Sequence, residues 1–206
     1  QRRIDTNVVP GSEEKLDMLQ YCVQTLTERG YVFIGMDHFA KPDDELSIAL
    51  KEGFLQRNFQ GYSTYADCDL VAIGVSSIGK IGSTYSQNER DIDAYYAALD
   101  AGHLPIMRGY QLNQDDILRR NIIQDLMCRF SLDYQIYESV FGIPFSRYFA
   151  AELEDMKQLE TLGLVRLKPH SLTVTPKGRF LIRNIAMVFD YHLRHKETKA
   201  KYSQTV

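Results

Sequence analysis

Residues 31–36 (YVFIGM) and 70–75 (LVAIGV) are the strand-forming runs in the first half of this 206-residue chain, and their scarcity limits what it can build. Each run is apolar on both faces, the pattern of a buried parallel strand. Helical segments flank them. Ser12, with Glu13 and Glu14 behind it, suits a helix start. Leu16, Leu19, Val23 and Leu26 then recur at helical spacing, and Gly30 stops the helix. Pro42-Asp43-Asp44-Glu45 opens a second helix that Gly53 closes, and Asp91 to Leu99 reads as a third. This alternation is the rhythm of an α/β layer. Two strands cannot close a barrel or complete a doubly wound sheet, so residues 1–103 are expected to be the terminal β/α units of a barrel cut at its edge.

From residue 104 to 206 the texture turns mostly α. Asn113-Gln114-Asp115-Asp116 caps a helix through Cys128, Ser131 caps a shorter one ending at Gly142, and a third runs from Ser146 to Leu162. Residues 164–167 and 172–175 alternate as a hairpin around Pro169-His170. Pro176 starts a last helix through Leu193, and the polar tail from Lys196 to Val206 is expected to fray. Helices, a hairpin and a helix make a winged-helix-like second domain. The chain opens on Gln1 rather than Met, which points to a piece of a longer polypeptide.

Composition narrows the function classes. A net charge of −3 favours neither a nucleic-acid nor a membrane surface. No apolar run approaches the roughly 20 residues of a membrane helix, and no secretory signal is visible. Cys22, Cys68 and Cys128 are an odd, scattered set, which argues against a disulfide framework or a local metal clip and for a reduced, cytoplasmic setting.

Gly74-Val75-Ser76-Ser77-Ile78-Gly79-Lys80 nearly spells a phosphate loop. Ile81 lacks the hydroxyl that would hold Mg²⁺, so a Gly-rich turn lining some other ligand is the better reading. The helix from Ser146 carries Glu152, Glu154, Asp155 and Glu160 against Arg147 and Lys157, an acidity that repels DNA. Asp37-His38 is either an acid–base pair at a strand end or a loop hydrogen bond. Asp43-Asp44-Glu45 reads as a helix start rather than a metal site. Residues 57–64 (RNFQGYST) read as an aperiodic loop, either ligand-touching or a surface turn around Gly61.

Taken together, Gly35-Met36-Asp37-His38-Phe39-Ala40, Arg57-Asn58-Phe59-Gln60-Gly61-Tyr62 and Thr175-Pro176-Lys177-Gly178-Arg179 closely resemble the oxygen-independent coproporphyrinogen III oxidases. The likeness runs in order from about residue 12 to the end. It implies a radical S-adenosylmethionine enzyme of haem biosynthesis that oxidatively decarboxylates two propionates of coproporphyrinogen III to vinyls, giving protoporphyrinogen IX. It implies S-adenosylmethionine and a [4Fe–4S] cluster as cofactors, an electron donor, and a full-length monomer. The family's C-x-x-x-C-x-x-C motif is absent here, so by this likeness the cluster ligands lie upstream and the chain alone is expected to be inactive. Residue by residue, Phe59 and Gln60 match the family's active-site aromatic and amide, and Ile78 matches its S-adenosylmethionine contact. A tetra-anionic substrate needs cations, for which Arg57 and Arg183 are candidates. A catalytically silent porphyrin- or haem-binding relative and a winged-helix regulator are the other two classes the sequence allows.

Overall fold

A computed structural model describes residues 8–65 and 68–195 of the chain. The tail from Lys196 to Val206 lies outside the described residues. Helix α1 (Ser12–Glu28) starts one residue earlier than its sequence suggests: Gly11 is the extended N-cap, and Ser12 is already helical. Strands β1 (Val32–Gly35) and β2 (His38–Ala40) follow, then α2 (Glu45–Glu52), where Asp44 Oδ1 accepts from the Leu46 N–H at 2.9 Å as expected of a cap. Next come β3 (Gln56–Asn58), β4 (Gly61–Ser63), β5 (Ile78–Ile81), β6 (Thr84–Asn88), α3 (Ile92–Asp100) and β7 (Ile106–Gln111).

Neither expected parallel strand forms. The run at 31–36 folds back on itself as the antiparallel β1–β2 hairpin, because Met36, with φ 55°, turns the chain within two residues. Parallel pairing needs a crossover of roughly a dozen residues or more. The run at 70–75 has no strand beside it and makes a single bridge, Leu70 to Lys80. Val71 and Ile73 are consequently 69% and 83% exposed. The sheet that does form here, β5–β6–β7, is antiparallel throughout and reaches past residue 104 to include β7.

The remaining elements are α4 (Gln114–Arg129), β8 (Ser131–Asp133), α5 (Tyr134–Phe141), α6 (Phe145–Tyr148), α7 (Ala150–Thr161), β9 (Val165–Lys168), β10 (Ser171–Val174), α8 (Pro176–Arg179), α9 (Ile182–Met187) and α10 (Tyr191–Arg194). The β9–β10 hairpin is as expected, with β8 added to the other side of β10. Ser131 lies in that added strand, and Asp133 is the residue that caps α5. The expected helix from Ser146 to Leu162 divides at Phe149, whose backbone (φ −103°, ψ 31°) leaves the helical region. Its ring is fully buried against Phe145 and Phe189, so packing decides the break. The last helix likewise breaks, at Leu181 and again at Asp190. Leu118, Ile122 and Leu126 of α4 are the centre of a core closed by Leu172, Ile182, Ile185 and Phe189. Among the described residues no helix is long and apolar enough to cross a membrane.

The start of α4 carries a capping box: Asn113 Oδ1 accepts from the Asp116 N–H at 2.9 Å, and Asp116 Oδ2 accepts from the Asn113 N–H at 3.1 Å. Tyr110 donates to the same carboxylate at 3.0 Å, and His192 Nε2 lies 2.8 Å from Oδ1. Burial alone would raise the Asp116 carboxyl, but the hydrogen bonds from Asn113, His192 and Tyr110 outweigh it and hold the group below its ordinary value of 3.8. A depressed carboxyl stabilises the fold fully above that value and loses its contribution as pH falls towards the folded one. Asp116→Asn is therefore expected to cost about 1–2 kcal/mol at pH 7. In urea titrations the gap to the parent should narrow steadily below pH 4, and a gap that widens with acid would contradict this account.

Candidate functional site

The β3–β4 hairpin pairs Arg57 with Tyr62 and Asn58 with Gly61, which leaves Phe59 and Gln60 as its two-residue turn. The Gln60 N–H donates to Asn58 Oδ1 at 2.8 Å, fixing the turn from within. Both turn side chains are exposed, Phe59 to 54%. Strands of three residues are too short to show alternation, so the sequence pattern reads this segment as a loop. The Phe59 ring meets Tyr85 edge-on, with centroids 5.5 Å apart. The turn thus touches the β5–β6–β7 sheet.

Cross-strand partners and alternate residues share a sheet face. Ile78 is opposite Gln87, Lys80 is opposite Tyr85, and Gln87 is opposite Arg108. These residues therefore lie on one face, the face Phe59 touches. The structure brings Phe59 and Ile78 to the same side of the sheet from positions separated in sequence, with Gln60 next to Phe59 in the turn. The other face carries Gly79, Ile81 and Asn88, and an apolar cavity of about 280 Å³ lies there between Leu70, Tyr95 and Leu104. That cavity is on the wrong side of the sheet to join the turn.

The phosphate-loop resemblance is resolved as a tight turn in which the Gly74 and Ser76 N–H groups are already used. The Gly74 N–H donates to the Tyr95 hydroxyl at 3.1 Å and the Ser76 N–H to the Glu89 carbonyl at 2.6 Å. Asn88, 4% exposed, donates through Nδ2 to the carbonyls of Gly74 and Ala72 at 3.0 and 3.3 Å. Gly79 and Lys80 continue as β5 instead of opening a helix, so nothing cradles a phosphate. Asn88 had no sequence signal, because its role depends on the segment sixteen residues before it.

Behind the turn, the hairpin is fastened to α4. Gln124 Nε2 donates to Gln56 Oε1 at 2.8 Å, and the Tyr62 hydroxyl donates to the Met127 carbonyl at 3.1 Å. Burial, aided by the nearby Cys128 thiol and opposed by the Arg57 guanidinium, pushes the Tyr62 hydroxyl up to about 12. The hydroxyl occupies the space above Gly35 where a Cβ would stand, which ties the first motif to the second. Arg57 lies over the Tyr62 ring, 4.8 Å from its centroid. His38 meets the ring edge-on at 5.1 Å, and its Nδ1 lies 2.7 Å from Asp37 Oδ1. Arg183 is exposed on α9, and among the described residues no hydrogen bond or ion pair joins it to the turn. The third motif serves packing: Thr175 caps α8 by accepting from the Gly178 N–H at 3.0 Å, and Arg179 covers the Phe130 ring at 4.3 Å.

Among the described residues no three His, Cys, Asp or Glu side chains are arranged to hold a metal ion. Cys22 and Cys68 are exposed and far apart in sequence, and burial pushes the Cys128 thiol up to about 12. Such a set does not fit an iron–sulfur cluster, which needs converging thiolates.

Comparison with known proteins gives a consistent picture. The family described as HemN C-terminal domain matches residues 112–181. A protein of Synechocystis named oxygen-independent coproporphyrinogen III oxidase is 47% identical, and the match covers 100% of this chain and 45% of that protein. A Salmonella typhimurium protein of the same name is 45% identical with the same two coverages. The Escherichia coli structure described as coproporphyrinogen III oxidase (HemN), a radical SAM enzyme, superposes with a TM-score of 0.87 at 46% identity, covering 93% of this chain and 44% of that one. The chain thus spans a little under half the length of these relatives. Residues 112–181 thus match the HemN C-terminal domain family, and over its full length the chain is similar to a little under half of the length of the oxygen-independent coproporphyrinogen III oxidases.

Proposed function

We propose that this chain supplies one wall of the active site in a coproporphyrinogen III oxidase of the radical S-adenosylmethionine type. The observation that carries the reading is the convergence of Phe59 and Ile78 on one sheet face, in a chain similar to these oxidases from end to end. S-adenosylmethionine, when bound, would supply the radical that removes a hydrogen from a substrate propionate. Ile78, half-buried, offers an apolar contact for that molecule. Phe59 would shape the site and keep it dry, and the Gln60 amide would hydrogen-bond a carboxylate or the cofactor. The cluster finds no ligands among the described residues. Its thiolates and the complete reaction belong to a longer polypeptide acting as a cytoplasmic monomer, with an electron donor as its partner.

The exposed apolar side chains of Val71 and Ile73 support reading the first half of the chain as the end of a barrel that further chain would cover; β7 pairs into that half's sheet, so a winged-helix-like second domain would begin after residue 111 rather than at 104. Arg57 is held against Tyr62, which makes it the better placed of the two candidate propionate partners; Arg183 lies apart on α9.

The test uses a polypeptide of the relatives' length that contains this sequence, assayed for vinyl product from coproporphyrinogen III. Phe59→Ala and Gln60→Ala are expected to lower turnover by about tenfold to a hundredfold, the scale of a misplaced reacting group. Absence of product from the unmodified polypeptide would defeat the reading, and unchanged turnover in both variants would remove the turn from the site.

A further inference from the structure

Gln87 lies directly opposite Ile78 on the face that Phe59 touches, and its amide oxygen gathers two cations. Arg108 Nε donates to Gln87 Oε1 at 2.9 Å, and Arg90 Nη2 approaches the same oxygen at 3.4 Å. Among the described residues neither arginine has an acidic partner, and nor does Lys80 on the same face. Arg119, Arg129 and Arg194, by contrast, are each paired with a carboxylate. Two guanidinium groups drawn to one neutral oxygen repel each other, and a single amide does not cancel their charge. An incoming anion would.

We propose that Arg108 and Arg90, gathered on Gln87, bind one carboxylate of the substrate, and that Lys80 binds another. The assignment rests on the functional reading above and names residues for it. With Nε committed to Gln87, Arg108 keeps both terminal nitrogens for a bidentate carboxylate contact. Lys80 stands on β5 and Arg108 on β7, with β6 between them, so their backbones are about 10 Å apart at the usual strand spacing. That separation suits different carboxylates on one broad molecule better than two oxygens of a single small acid. Ile78 and the Phe59–Tyr85 pair lie between and beside these charges, providing apolar surface for the body of a tetrapyrrole whose acid arms reach the rim. The neutrality of Gln87 matters: a glutamate there would satisfy both arginines and abolish the site.

The experiment measures KM and kcat in the polypeptide of the relatives' length, and coproporphyrin III binding to the 206-residue chain by absorbance titration. Arg108→Ala, Lys80→Ala and Gln87→Glu are each expected to raise KM for coproporphyrinogen about tenfold, the effect of losing one charge-assisted contact, with a far smaller change in kcat. Arg108→Lys should recover part of the loss. KM for S-adenosylmethionine should not move. The same variants should weaken coproporphyrin III binding by a similar factor, and all three positions lie outside the core, so melting temperature serves as the folding control. A rise in KM for S-adenosylmethionine alone would transfer the arginines to that molecule's carboxylate and overturn the assignment. Unchanged KM for both, or equal porphyrin binding by parent and variants, would also overturn it. If Phe59→Ala lowers turnover while these three do nothing, the site stands and the carboxylate assignment alone fails.

Discussion

Replacing Arg119 with methionine is expected to destabilise the fold by about 3–5 kcal/mol, the cost of leaving a buried charge without its partner. Arg119 is 9% exposed, and its Nη1 donates to Glu152 Oε1 at 2.8 Å and to the Phe189 carbonyl at 3.1 Å. Its Nε donates to Asp115 Oδ2 at 2.8 Å. Burial works against the guanidinium charge, but the hydrogen bonds and charges of Glu152 and Asp115 outweigh it, and the group is held above its ordinary value. Glu152 is 5% exposed, so without Arg119 its carboxylate has neither water nor a cation. The arginine also lies over the rings of Phe149 and Tyr191, with centroid distances of 5.1 and 5.4 Å, and so joins α4, α7 and the α9–α10 segment. Urea denaturation of Arg119→Met should show the loss, and adding Glu152→Leu should restore most of it, because the pair's own attraction barely exceeds its desolvation. If the single variant loses under about 1 kcal/mol, on the scale of an exposed ion pair, the network is solvated and the account is wrong.

The second large effect is expected at Gly178. A Cβ there would collide with the Leu164 carbonyl oxygen and crowd the Val174 side chain at 2.9 Å. The obstructing atom is backbone, and Leu164 cannot move away: its carbonyl accepts from the Thr175 N–H at 2.9 Å and from the Thr175 hydroxyl at 3.1 Å. Gly178→Ala should therefore cost about 3 kcal/mol, at the upper end of overpacking penalties. Circular dichroism melts would register this as a drop of about 6–12 °C, given the roughly 2–4 °C per kcal/mol of a chain this size. A neighbouring exposed change, Lys177→Ala, should cost little by comparison, losing only its contact to the Leu162 carbonyl at 3.1 Å. A melt of Gly178→Ala equal to the parent's would show that α8 can lift away from β10.

The two predictions separate what was readable in the chain from what was not. Acidic and amide caps were readable, because a cap acts on backbone donors two or three residues away: Asp44, Asp91 and Asn113 all stand where their helices begin, whereas Ser12 and Ser131, read as caps, lie inside a helix and a strand. The β9–β10 hairpin was readable for the same reason. The apolar runs at 31–36 and 70–75 misled, since apolarity reports burial or its potential and says nothing about strand direction. The motifs that carry the family likeness named Phe59, Gln60 and Ile78, but no spacing rule could show that Tyr85 joins the first to the face of the last.

What the sequence determined by itself was local: helix starts, tight turns, a near-neutral charge balance, and motif residues specific enough to name relatives. Pairing partners, the face each strand presents, and the company kept by a buried ion were decided only in three dimensions. Such interactions join residues tens of positions apart, as Gln56 with Gln124 and Arg119 with Glu152. Their free energy depends on distances that exist only once the core has closed, which is why the unpaired cations beside Gln87 looked, in the sequence, like any other surface charge.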